Sequence, residues 1–188
     1  MLRAFFSFLI FVAAPAFAAD LTTDEVDRFV DTLVAINDLD ERYPDVDVEL
    51  GLDENSFGNP AGMKEAFAKI ITPEGKVVLV DSIIAAVNTN PQAAAEFRSA
   101  IEANGFENPL AFASVGNRLL LAAARNEMSD EDLAQMQQIT SIPAEALPPA
   151  FQQVIPFIEA FGVALTNVSE SDIEQARRVQ PRLDALDD

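Results

Sequence analysis

The stretch from Pro109 to Asn126, PLAFASVGNRLLLAAARN, decides the fold. Leu110, Ala113, Leu119, Leu120, Leu121 and Ala122 to Ala124 leave few positions that seek water, and a helix apolar nearly all round is a buried one. Asn108 can cap its free amides, and Pro109 loses nothing at the first helical position, where its missing N–H would have no partner anyway. A buried helix needs others around it. The same punctuation marks them: Asn90-Pro91 and Thr72-Pro73 read as further helix starts, and Asn59-Pro60 fits more loosely.

Moving toward the N-terminus, a helix is expected from Pro91 to Ala103 with Phe97 and Ile101 inward. It ends at Asn104-Gly105, where glycine accepts the left-handed backbone of a C-terminal cap and lets Phe106 fold back. From Pro73 to about Val87 the apolar character is nearly continuous. A short strand over Val77 to Val80 is the alternative there, because periodicity does not separate a buried helix from a buried strand; helix is expected, since no partner strand is visible. An amphipathic segment surrounds Met63, Phe67, Ile70 and Ile71. The first helix is expected from Thr23 to about Tyr43, with Thr22 and Glu25 as a capping box, and Pro44 stops it.

Toward the C-terminus, Ser129 with Asp132 opens a short helix holding Leu133 and Met136. Pro149 to about Thr166 continues as a helix that Pro156 should kink, and Ser169 with Asp172 opens a last one holding Ile173, Val179 and Leu183. The expectation is an all-α chain. Residues 19–188 should form a single compact bundle-like domain of about six to eight helices, packed around the helices at 109–126 and 149–166.

Residues 1–18 read as an export signal. Arg3 gives a basic start, Ala4 to Ala14 an apolar run, and Ala16-Phe17-Ala18 a small-residue cleavage pattern, so cleavage is expected after Ala18 and the protein should be periplasmic or secreted. The apolar stretch, interrupted by Ser7 and Pro15, falls short of the roughly 20 residues that span a bilayer. No stable membrane insertion is therefore expected after cleavage.

The chain carries 12 Lys and Arg against 31 Asp and Glu, a formal charge of -19, with no His, Cys or Trp. Nucleic acid is an unsuitable partner, because phosphate binding needs clustered cations, and Arg177-Arg178 with Arg182 is diluted by Glu170, Asp172, Glu174 and Asp184. The absence of His and Cys removes the imidazole base, the thiolate nucleophile, the disulfide and the ordinary zinc site. Catalysis would have to use carboxylates, Ser, Thr, Tyr43 or Lys64, Lys69 and Lys76. No cofactor is expected, and a non-catalytic role is the reading.

Three places carry the candidate chemistry. Asp45, Asp47, Glu49 and Asp53 sit in the densest acidic stretch, where weak calcium binding is conceivable, but the EF-hand pattern fails: Leu50 stands where glycine is required and Ser56 where glutamate is. Solvated surface is the plainer reading of such a run. Second, Ser114, Arg118 and Arg125 share a helical face, so Arg118 and Arg125 could line a pocket for an anionic group. The plainer reading is that Gly116 admits a neighbouring helix and Arg118 lies along the core and pairs with an acid. Third, Phe157 and Phe161 in the run from Phe151 to Leu165 could line an apolar groove, although Phe at helical spacing is more often core.

The segment Gly105-Phe106, Ala113 and Gly116-Asn117-Arg118, with the apolar run after it, is similar to a pattern of uncharacterised exported helical proteins of proteobacteria. That resemblance implies a periplasmic helical fold and carries no functional residue. Taken together, the sequence suggests an exported, non-catalytic binding or interaction protein of the bacterial cell envelope, chaperone-like, with a protein partner and its oligomeric state left open. A binder of a small apolar or anionic ligand is the alternative, with Arg118 anchoring a groove near Phe157. A carboxylate-dependent glycan hydrolase is the third reading and rests only on the abundance of acids.

Overall fold

Asn90 and Asn108 place their side-chain oxygens over the free amides of the helices that follow: Asn90 accepts from Gln92 and Ala93, and Asn108 from Ala111. Thr22 and Glu25 form the reciprocal capping box, and Ser129 and Asp132 do the same two-thirds of the way along the chain. A computed structural model describes residues 20–46, 60–142 and 146–186, and the expected export signal at 1–18 lies outside them. The described residues are helical almost throughout. In order, the helices are α1 (Thr23–Ala35), α2 (Leu39–Arg42), α3 (Pro60–Ile70), α4 (Leu79–Val87), α5 (Pro91–Ala103), α6 (Pro109–Glu127), α7 (Asp130–Thr140), α8 (Pro149–Gln152), α9 (Ile155–Thr166) and α10 (Glu170–Asp184).

α6 is the axis, as its composition demands. It packs against α10, α1, α4, α9 and α5, while α9 gathers α7, α3 and α8. The aromatic centre is Phe112 of α6. Phe29 stacks on it at 4.7 Å, and Phe97 and Phe106 meet it edge-on at 5.7 and 5.4 Å, arrangements the ring quadrupole favours. Phe106 reaches that position through the α5 cap. Gly105 takes φ 82°, and the Phe106 N–H returns to the Ile101 carbonyl. Gly116 allows the tightest approach, since a Cβ there would sit 2.7 Å from Cζ of Phe29 and 2.8 Å from Cγ2 of Val80.

Four expectations need correction. The first helix is two pieces: α1 ends at Ala35, and after a turn at 36–38 the short α2 places Leu39 in the core and Tyr43 against it. The apolar run after Pro73 is not helical from its start. Thr72-Pro73-Glu74-Gly75 has proline second and glycine fourth, the pattern of a type I turn, and the turn is closed by an isolated antiparallel bridge between Ile71 and Val77 before α4 begins at Leu79. The helix expected from Pro149 to Thr166 is broken, not kinked, at Gln153-Val154. Pro156 then falls in the first turn of α9, where a missing N–H is harmless. Finally, Leu110 is 73% exposed; it shares the outer face of α6 with Ser114, whereas Leu119 and Ala122 turn inward.

Candidate functional site

Two adjacent residues of α6 organise the first candidate. The Asn117 side chain is buried, accepts the Val80 N–H at 2.8 Å and donates to Asp81 Oδ2 at 2.6 Å. It caps α4 from another helix, which answers the lack of any local side-chain cap at Val78. Lys76 Nζ lies 3.6 Å from the other oxygen of Asp81. Arg118 reaches the opposite way and donates to Asp172 Oδ2 at 2.7 Å. Asp172 is only 5% exposed, and its Oδ1 accepts the Leu21 N–H at 2.8 Å, so one carboxylate ties the beginning of the described chain to α6 and α10. Beside these networks lies a groove of about 430 Å³, lined by the apolar Val77, Leu110, Ala113 and Leu121 together with Lys76, Asp81 and Arg118.

The second candidate is the outer face of α9. Glu159, Val163 and Asn167 stand four residues apart and make a ridge, with Val163 61% exposed. On one side a hollow of about 410 Å³ opens toward Met136 of α7, with Ile158 and Gly162 in its wall. On the other side a hollow of about 500 Å³ opens toward Pro73, Glu74 and Gly75, with Pro156, Ala160 and Ala164 beneath.

Arg125 does not meet Arg118 over a ligand site. It stays at the end of α6, where it donates to the Met128 carbonyl at 2.9 Å and to Asp130 Oδ1 at 2.7 Å. Phe157 faces the interior, 7% exposed, and Phe161 is half-buried with its ring edge-on to Phe67 at 6.3 Å. The groove that Arg118 borders holds no residue of α9, so the Phe157 region and the Arg118 anchor are separate places. Of the acidic quartet, Asp45 is exposed beside buried Val46, while Asp47, Glu49 and Asp53 lie outside the described residues. Among the described residues, no three His, Cys, Asp or Glu are grouped to hold a metal ion, and no helix is long and apolar enough to cross a membrane.

Several other titratable side chains join one element to another. The Tyr43 hydroxyl donates to Glu96, which also pairs with Arg42, and Arg42 in turn holds Asp38. The Tyr43 hydrogen bond holds the Glu96 carboxyl below its usual range, with the Arg42 guanidinium adding to it; the same hydrogen bond raises the Tyr43 phenol and keeps it protonated. This cluster latches α2 to α5. Lys64 Nζ donates to Gln153 at 3.2 Å and joins α3 to the end of α8. Asn117 and Asp172 were the residues that sequence reasoning missed as organisers, since their partners lie 37 and 151 positions away. Gly116-Asn117 inside an otherwise apolar helix was the available signal. No family model, curated protein or solved structure matches the chain.

Proposed function

We propose that the chain is an exported, non-catalytic binding protein of the bacterial cell envelope, chaperone-like, that engages another protein through the outer face of α9. The observation that carries the reading is the Glu159–Val163–Asn167 ridge, an apolar residue held in water between two open hollows. Large exposed apolar residues beside open grooves are the raw material of interfaces. Export rests on the signal at 1–18 and on the resemblance of the 105–118 segment to exported helical proteins. A second reading, a small-ligand binder, is favoured by the groove at Val77, Leu110 and Leu121, where Arg118 and Lys76 could meet an anionic head group.

Cross-linking in intact cells followed by native mass spectrometry of the mature protein tests both. Added mass equal to a protein chain supports the first reading, and a small co-purifying mass shifts the assignment to the second. The chain at its own mass alone, with and without cross-linker, overturns both.

A further inference from the structure

The charge of the α7–α9 face identifies what it would hold. Between Arg125 and Arg177 the sequence contains no Lys or Arg, against nine Asp and Glu, and this stretch includes all of α7, α8 and α9. Glu159 stands on the ridge and lines both hollows, and Glu74 lines the second. Among the described residues, no cation lines either hollow. The next one along the chain, Lys76, lies beside Asp81 and borders the other groove. Met136, Ile158, Gly162 and Val163 give the first hollow an apolar wall beside Thr166; Pro156, Ala160, Val163 and Ala164 do the same for the second, and Asn167 borders both. Methionine adapts its shape to different side chains, and Gly162 leaves room beside it.

We propose that the Glu159–Val163–Asn167 ridge docks a cationic amphipathic helix of a partner protein, whose apolar side chains enter the two hollows and whose Lys or Arg side chains meet the surrounding carboxylates. This rests on the partner-binding reading and adds the partner's chemistry. The occupant follows from complementarity, because an apolar groove with an anionic rim selects apolar groups flanked by cations. A second copy of this chain would bring the same carboxylates against one another, and an anionic lipid surface meets the same opposition.

The test uses three labelled helical peptides, one of Leu and Lys, one of Leu and Glu, and one of Ser and Lys, titrated with the mature protein by fluorescence anisotropy. Only the Leu/Lys peptide should bind, and added salt should weaken it. Val163→Asp should lower its affinity about tenfold, the scale of a central interface residue. That substitution adds a negative charge, so a loss of affinity for a cationic peptide has to come from the apolar contact. Glu159→Gln should also weaken binding, whereas Val34→Asp, at an exposed apolar site on α1 that lines neither hollow, should not. Equal binding of the Leu/Glu or Ser/Lys peptide, or an unchanged affinity in Val163→Asp with an unchanged melting temperature, overturns the proposal. A cross-linked partner whose retention ignores Val163→Asp would leave the partner-binding reading standing and remove this inference alone.

Discussion

At the scale of single residues, α6 shows how little separates packing from a site. Gly116 sits where Phe29 and Val80 converge, and Phe29 is itself stacked on Phe112, so neither neighbour has room to retreat. Gly116→Ala should cost about 1–3 kcal/mol, the range for overpacking a filled core, although alanine is the better helix former. A urea midpoint equal to or above the wild type would show that the core gives way easily. Asp172 offers a cleaner dissection, because its two oxygens do different work. Asp172→Ala removes the acceptor of the buried Leu21 N–H and the partner of Arg118 together, and should cost about 2–3 kcal/mol; Arg118 keeps partial access to water, which holds the figure below that for a fully buried pair. Asp172→Asn keeps an acceptor for Leu21 and should recover part of that loss. Equal losses in the two variants would mean that the charge alone matters.

At the scale of elements, the parts legible in the sequence were those whose cause is local. Asn90-Pro91, Asn108-Pro109, Thr22 with Glu25 and Ser129 with Asp132 all cap where they stand, since a cap needs only a short polar side chain and the next turn. The 73–80 segment was illegible for the opposite reason: a run apolar at nearly every position has no period to read, and Thr72-Pro73 looks alike at the start of a helix or of a turn. The start of α4 is fixed by Asn117, far along the chain, and nothing near Leu79 announces it. The candidate site was legible only in part. Arg118 was found, but its binding to Asp172 is a fact of tertiary packing, and the α9 ridge emerges only when α7 and the 73–75 turn are set beside it.

The α1 cap also carries a pH dependence of definite sign. Hydrogen bonds from the Thr22 hydroxyl and backbone N–H, with help from Arg28 and Arg118, hold the Glu25 carboxyl below its ordinary value. Its stabilisation is therefore complete above the unfolded carboxylate value and is lost as pH falls through the lower folded value. Glu25→Gln preserves the acceptor and removes the charge. Wild type should exceed it by about 0.3–1 kcal/mol at pH 7, the usual size of a carboxylate at a helix N-terminus, and the gap should close as pH falls from about 5 to about 3. A gap that persists in acid would assign the effect to shape.

At the scale of the whole molecule, negative charge is in excess, and its arrangement has a cost. The α1–α10 seam is well supplied with cations: Arg178 meets Asp27 at 2.8 Å, and Arg182 meets Asp27 at 3.3 Å and Asp31 at 2.6 Å. These pairs are partly exposed and contribute little individually. The α7–α9 half has no cation of its own, so its carboxylates repel one another across a surface that packs as one body around α9. Self-repulsion of this kind destabilises the compact state and is screened by salt, whereas exposed ion pairs lose strength under the same screening. The two effects oppose each other, and with 31 acids against 12 bases repulsion should win. The melting temperature should therefore rise as sodium chloride increases from about 10 to about 300 mM, over which the screening length contracts from about 30 Å to less than 10 Å. Glu159→Lys, placed on the exposed face of α9, should raise the melting temperature at low salt and flatten the response. A melting temperature that falls with salt would mean that the α1–α10 ion pairs outweigh the repulsion. The carboxylates that destabilise the isolated chain are those that would receive a cationic partner, so such a partner should raise the melting temperature most at low salt, where the relief it brings is greatest.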